Sequence, residues 1–296
     1  MTVKTEVPAT SANLGSGFDS LGLALTLYNR VEMEESDHIE IVSVDKVSVP
    51  LDQSNLVYFA ARHLYEQCGE KLEGLKLRQE SPIPVTKGLG SSSACIVAGL
   101  TGANKLLGSP LSRSDLINMA TDIEGHPDNV APAILGGLVT SVVENGKVYS
   151  VSVPVSRSIK FCAFIPDFDL KTEHARSILP QDITLADGIY NLSRTALMTA
   201  SLFSGSLENL KIAVQDKLHQ QHRLPLIPNG GRVFETAYNE GALGVYISGS
   251  GPTIMAIVDA NDIDFEQRCL TMFTRKNIFN YSPVILNTDH IGASCK

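Results

Sequence analysis

Residues Pro84-Val85-Thr86-Lys87-Gly88-Leu89-Gly90-Ser91-Ser92-Ser93-Ala94 place two glycines just ahead of three serines. Glycine removes the side chain where the backbone must approach another group closely. The serines open a stretch in which Ala94, Val97, Ala98 and Leu106 recur at helical spacing. The first amides of a helix have no partner within it, and the aligned peptide dipoles favour negative charge there. A triphosphate suits such a corner, and serine hydroxyls could reach a magnesium ion bound to it. No G-x-x-x-x-G-K-[ST] occurs, so this is not a P-loop. The plain alternative is a turn that ends in a serine N-cap.

Two further glycine-rich patches flank it in the chain. Pro8-Ala9-Thr10-Ser11-Ala12-Asn13-Leu14-Gly15-Ser16-Gly17-Phe18-Asp19 follows a strand-like segment, and Ser248-Gly249-Ser250-Gly251-Pro252 lies between two others. Gly15 and Gly17 lack the third glycine of a dinucleotide fingerprint, because position 20 is Ser20. Taken alone, each patch reads as a structural turn. Glu124 falls in the last turn of a predicted helix, where the dipole disfavours a carboxylate and hints at another purpose. His219 and His222 form a close pair outside any H-E-x-x-H context and read as exposed helix residues rather than ligands. The five cysteines are scattered, with no C-x-x-C pair, so neither a disulfide framework nor a structural zinc site is expected.

The elements that must position these groups alternate. Val3–Val7, Leu21–Val31, Ile39–Val44 and Leu75–Gln79 read as strands. A helix runs from Ser54 to about Gln67, a second from Ser91 to Leu107, and a third from the capping box Ser112-Arg113-Ser114-Asp115 to Glu124, with Gly125 as its stop. Glu144-Asn145-Gly146-Lys147 signals a hairpin between Leu138–Val143 and Val148–Val153. Pro154–Ser158 marks a boundary that divides residues 1–155 from 156–296. Beyond it come a strand over Ile159–Ile165, a long helix over Asp187–Phe203 and another over Leu207–His222. Strands at Gly244–Ser248 and Thr253–Val258 follow, then a closing helix and edge strand. Mixed elements in two lobes indicate an α+β protein.

The chain of 296 residues is 43% hydrophobic and 19% charged, which suits a folded protein and excludes a disordered one. A net charge of −8 makes it a poor general binder of nucleic acid or anionic lipid. No apolar run approaches the about 18 residues of a membrane helix, and the first residues lack a signal-peptide core, so a cytoplasmic location is expected.

The three patches, in this order and at these distances, resemble the three motifs of the GHMP small-molecule kinases. Within that superfamily, Asn13–Asp19 and His126-Pro127-Asp128-Asn129-Val130-Ala131-Pro132 are similar to the branch that acts on homoserine. The resemblance implies two lobes, the first like domain 2 of ribosomal protein S5 and the second ferredoxin-like, with the active site between them. It implies transfer of the ATP γ-phosphate to the side-chain hydroxyl of L-homoserine, on the route to threonine; the alternatives are a superfamily kinase with a mevalonate-like or sugar substrate, and a catalytically inactive binding module on the same fold. A homodimer is expected by analogy only.

It also assigns residues. Pro84–Ala94 would wrap the ATP phosphates, with Ser92 and Glu124 as magnesium ligands and no separate role for Ser93. Arg176 and Arg223 would hold the substrate carboxylate, although by residue type alone they are ordinary surface arginines. Asp19, Asn13 and Asn129 would hold the ammonium and hydroxyl. Asp19 otherwise reads as a turn residue and Asn129 as a helix cap. The Asp–Lys pair of some relatives is not placed convincingly here. Asp128 is the candidate base, Thr172 assists near the transferred group, and Asn13 orients the acceptor. Asn55 would meet the adenine, or is simply a helix start. Gly249-Ser250-Gly251 would close the cleft.

Overall fold

The computed structural model describes residues 1–45 and 47–296. Two sheets organise the chain. The spine of the first is the antiparallel pair β1 (Thr2–Ala12) and β2 (Leu21–Ser36), with Thr2 opposite Glu34 and Ala12 opposite Gly22. The register shifts between Pro8 and Ala9, where proline has no amide to give the ladder. The shift lies just ahead of the turn that carries Asn13 and Asp19.

β3 (Glu40–Ser43) and α1 (Leu56–Gln67) precede β4 (Gly74–Glu80), which pairs with β2 on one side and β3 on the other. Next come α2 (Ser91–Leu106), α3 (Arg113–Glu124) and α4 (Pro127–Leu135). α3 carries the expected capping box at Ser112 and ends on a left-handed Gly125. α4 is an element the sequence reading lacks: Pro127 sits in its first turn and Pro132 inside it. The hairpin of β5 (Leu138–Glu144) and β6 (Lys147–Val153) turns on Asn145 and Gly146, both at positive φ.

The second sheet begins with β7 (Ile159–Pro166). After it come α5 (Thr172–Ser177), α6 (Leu185–Ser204), α7 (Leu210–Ala213), α8 (Gln220–Arg223) and α9 (Gly230–Asn239). β8 (Gly244–Ile247), β9 (Ile254–Asp259), α10 (Phe265–Arg275) and β10 (Tyr281–Leu286) complete the lobe. The order is β10-β7-β9-β8, antiparallel throughout, which is the ferredoxin-like arrangement.

The single helix expected over Leu207–His222 is instead a 3-10 turn, the short α7, a bend and the short α8. Asp216 breaks it. Its carboxylate accepts from the amides of Leu218 (3.0 Å), His219 (2.9 Å) and Gln220 (2.7 Å), offering the backbone a turn in place of helix.

Alternation along the strands joins the lobes. Phe161, Ala163, Met255 and Ile257 pack into the core of the first lobe, while Cys162, Phe164, Ile254 and Ala256 pack under α9 and α10. β11 (Ser294–Cys295) then returns to the first sheet, with Thr5 opposite Cys295. The terminal residues placed beyond 156 thus pair with β1. No helix of the described residues is long and apolar enough to cross a membrane.

Candidate active site

A cavity of about 780 Å³ opens between the lobes, lined by all three glycine patches. Asn13, Asp19, Glu124, Asp128, Asn129, Thr172, Arg176 and Arg223 all reach it, and Asn55 lies along the same wall as Ser48–Pro50. Three members of the expected phosphate wrap do not. Leu89, Ser93 and Ala94 turn into the core, each fully buried. The wall is made by Pro84, Val85, Thr86, Lys87, Gly88, Gly90, Ser91 and Ser92.

Gly90 is the N-cap of α2, in a left-handed conformation (φ 70°), and no side chain caps the helix. Its first-turn amides therefore keep their hydrogen-bonding capacity, and no acidic residue occupies that turn. A side chain at Gly90 would strike the Thr10 hydroxyl, and one at Gly88 (φ 77°) the carbonyls of Ser248 and Gly251. The loop is pinned from the second lobe. Ser248 Oγ donates to the Gly88 carbonyl at 2.6 Å and the Thr253 amide to the Lys87 carbonyl at 3.2 Å. Lys87 Nζ reaches away from the loop to the Phe168 carbonyl (2.6 Å) and Asp169 (2.7 Å). Lys87 ties the lobes together, and the loop offers mainly backbone to its ligand.

Glu124 ends α3 but faces the opening of α2, where the second helix's dipole favours its charge. Ser92 Oγ donates to Glu124 Oε2 at 2.9 Å and Ser93 Oγ to Oε1 at 2.7 Å. Ser93 therefore does have a role: from inside the core it orients the carboxylate. Ser92 and Glu124 together present hard oxygen donors beside the uncapped helix end. Magnesium takes such a pair when phosphate and water complete its shell, so these residues fit the ion.

The polar end of the cavity is built from opposed charges. Arg176 grips Asp19 bidentately, at 3.1 and 2.9 Å. Arg223 is only 1% exposed, not a surface residue. It donates through Nε to the Ala175 carbonyl (3.2 Å) and through one terminal nitrogen to the Gly249 carbonyl (2.9 Å). Burial, reinforced by the nearby Arg176 charge, pushes its pKa down to about 10. Asn13 lines the wall with its carboxamide engaged: Oδ1 accepts the Asp19 amide and Nδ2 donates to the Gly249 carbonyl, both at 3.0 Å. Asn13 thereby positions Asp19 and the third patch from the cavity wall.

Asn129 donates to Asp128 Oδ1 (3.1 Å) and accepts from the Thr10 hydroxyl (2.8 Å). The same Asp128 oxygen meets His126 Nδ1 at 2.6 Å. Burial alone would lower the His126 pKa, but the hydrogen bond and charge of Asp128 outweigh it and raise it. Thr172 Oγ1 lies 3.1 Å from Ser250 Oγ across the mouth. Asn55 caps α1 through the amides of Val57 (3.0 Å) and Tyr58 (3.4 Å), while its Nδ2 donates to the Pro50 carbonyl (2.9 Å). It shapes the wall at Ser48–Pro50 in place of offering free polar atoms to a base. His219, read from the sequence as exposed, is completely buried.

The two-lobed fold thus encloses a cavity with an uncapped helix end beside paired charges. The GHMP kinase N-terminal domain matches residues 55–137 and the GHMP kinase C-terminal domain residues 198–272. The chain belongs to the GHMP kinases. Among its relatives, the homoserine kinase of Clostridium beijerinckii is 44% identical over 294 residues, covering 99% of this chain and 98% of that protein. The homoserine kinase of Clostridium botulinum strain 657 is 46% identical over 267 residues, covering 90% and 89%. The crystal structure of homoserine kinase from Cytophaga hutchinsonii superposes with a TM-score of 0.89 at 29% identity, covering 100% of this chain and 97% of that one.

Proposed function

We propose that this chain transfers the γ-phosphoryl group of ATP to the side-chain hydroxyl of L-homoserine, giving O-phospho-L-homoserine for threonine biosynthesis in the cytoplasm. One observation carries the reading. The uncapped opening of α2 shares a single cavity with Asp19 paired to Arg176 and with the buried Arg223. That set complements an amino acid's ammonium and carboxylate, next to a corner suited to a polyphosphate. The relatives that carry the homoserine kinase name match nearly the whole chain. Lobes 1–155 and 156–296 would each contribute a wall, and a homodimer is part of the proposal by analogy with the family.

Ser92 and Glu124 would hold magnesium, which supplies charge neutralisation on the transferring phosphates. The backbone of Thr86–Ser92 cradles the phosphates. Arg223 and Arg176 bind the carboxylate, Asp19 binds the ammonium, and Asn129 orients the acceptor. Thr172 and Ser250 border the transferred group from the second lobe. Phosphoryl transfer passes through a loose transition state, so positioning and charge can supply most of the acceleration.

Asp128 is not assigned as an essential base: its Oδ1 is taken up by His126 and Asn129, which gives it a positioning role among these groups. Asp128→Asn is therefore expected to lower kcat only about tenfold, or roughly 1.4 kcal/mol. Steady-state kinetics checks this, and a loss of about a thousandfold would restore Asp128 as the base. The function itself is tested by coupled ADP release with homoserine, mevalonate and galactose as acceptors. Turnover with homoserine alone is expected. Turnover confined to either other acceptor overturns the substrate, and nucleotide binding without turnover on any acceptor overturns the enzyme.

A further inference from the structure

His219 is a buried titratable residue that none of the preceding roles uses. Its Nε2 lies 2.8 Å from the Gly15 carbonyl, and its Nδ1 lies 3.2 Å from a terminal nitrogen of Arg223. A carbonyl can only accept and a guanidinium can only donate, so the proton must sit on Nε2 and the lone pair on Nδ1. The ring is thereby held in one neutral tautomer. Burial supports this by pushing its pKa down to about 4.

Packing fixes the ring as firmly as the hydrogen bonds do. Phe18 stacks on His219 at 5.1 Å between centroids, and the Arg223 guanidinium lies 5.3 Å from the same Phe18 ring. The backbone amide of His219 is held by Asp216, itself tied to Asn191 at 2.7 Å. Among the described residues, no carboxylate hydrogen-bonds to Arg223. Its partners are the carbonyls of Ala175 and Gly249 and the His219 ring. Its second terminal nitrogen bonds to none of them, and the residue lines the cavity. A buried cation held only by neutral groups retains its charge for a ligand.

We infer that His219 is a positioning residue for substrate selection: a neutral bridge between the Gly15–Phe18 turn and Arg223 that aims the guanidinium at the carboxylate of the amino-acid substrate. This rests on the reading of Arg223 given under Proposed function. His219 touches no reacting atom. Its effect is on recognition of the carboxylate and not on phosphoryl transfer.

The test compares wild type with His219→Phe, which keeps a stacking ring, and His219→Gln, whose carboxamide can accept from Arg223 and donate to Gly15. The probes are homoserine as substrate and 3-aminopropan-1-ol, which is homoserine without its carboxylate, as a competitive inhibitor. His219→Phe is expected to raise KM for homoserine about thirtyfold, with kcat and KM for ATP within about threefold of wild type. The inhibition constant of 3-aminopropan-1-ol stays unchanged, and His219→Gln recovers most of the homoserine KM. If the Phe variant does not fold, His219→Leu, which also lacks both hydrogen bonds, is read in its place with the same expected rise in homoserine KM. An unchanged homoserine KM in both variants overturns the inference. So does an equal weakening of homoserine and 3-aminopropan-1-ol, which would mark a merely structural residue. If wild type itself does not phosphorylate homoserine, the functional reading falls and this inference with it.

Discussion

Glu124→Gln is expected to lower kcat by about a thousandfold, close to 4 kcal/mol of transition-state stabilisation. The substitution keeps the shape of the side chain and an oxygen that can still accept from Ser92 or Ser93, which now hold it at 2.9 and 2.7 Å. What it removes is the negative charge. A neutral amide is a far weaker partner for a hard cation, and the charge on the transferring phosphates would then be met by the α2 amides alone. The magnesium concentration at half-maximal rate should rise as kcat falls. Thermal melts should stay within a few degrees, because Glu124 sits at the cavity wall and not in the core. Kinetics across a magnesium titration checks both parts. Activity within about tenfold of wild type, at unchanged magnesium dependence, would remove Glu124 from the ion's shell.

The second large effect is predicted for Asp19→Asn. Kcat/KM for homoserine should fall about a hundredfold or more, while KM for ATP stays near its wild-type value. Asp19 holds Arg176 by two charge-assisted hydrogen bonds, and it lines the cavity that both arginines reach. Without its charge the ammonium loses its counterion and Arg176 loses the partner that fixes its fork. An acceptor that lacks the ammonium, 4-hydroxybutyrate, separates these contributions. Its kcat/KM should change far less than that of homoserine. An equal loss on both acceptors would assign Asp19 to the positioning of Arg176 alone.

The glycine-rich opening of α2 was legible in the sequence because its determinants are local. Gly88 and Gly90 ahead of three serines mark a close backbone approach at a helix start, and there the structure puts both glycines at positive φ against Thr10, Ser248 and Gly251. The same holds for the Ser112 capping box and the Asn145-Gly146 hairpin, each decided within four residues. What escaped was decided at a distance. Ser93 looks interchangeable with its neighbours until α3 places Glu124 beside it, 31 positions on. His219 looks exposed in a polar run, yet Phe18 and Gly15, about two hundred positions earlier, enclose it.

The helix expected over Leu207–His222 fits its apolar spacing, but Asp216 carries the competing signal. A short carboxylate three residues ahead of a free amide is a turn-former, and weighing it would have broken the helix at the right place. Pro127 likewise marked the start of α4, a role masked by the second proline at Pro132. The return of β11 to β1 rests on only two residues, too few for alternation to signal a strand.

Every role proposed for the cleft depends on where the nucleotide's phosphates lie. A crystal structure with a non-hydrolysable ATP analogue, magnesium and homoserine decides it. The β- and γ-phosphates should contact the backbone amides of Ser91 and Ser92, with one ion shared by Ser92 and Glu124 and the homoserine hydroxyl facing the γ-phosphorus. An analogue seated elsewhere, with the opening of α2 left to solvent, would contradict the phosphate site and every role built on it.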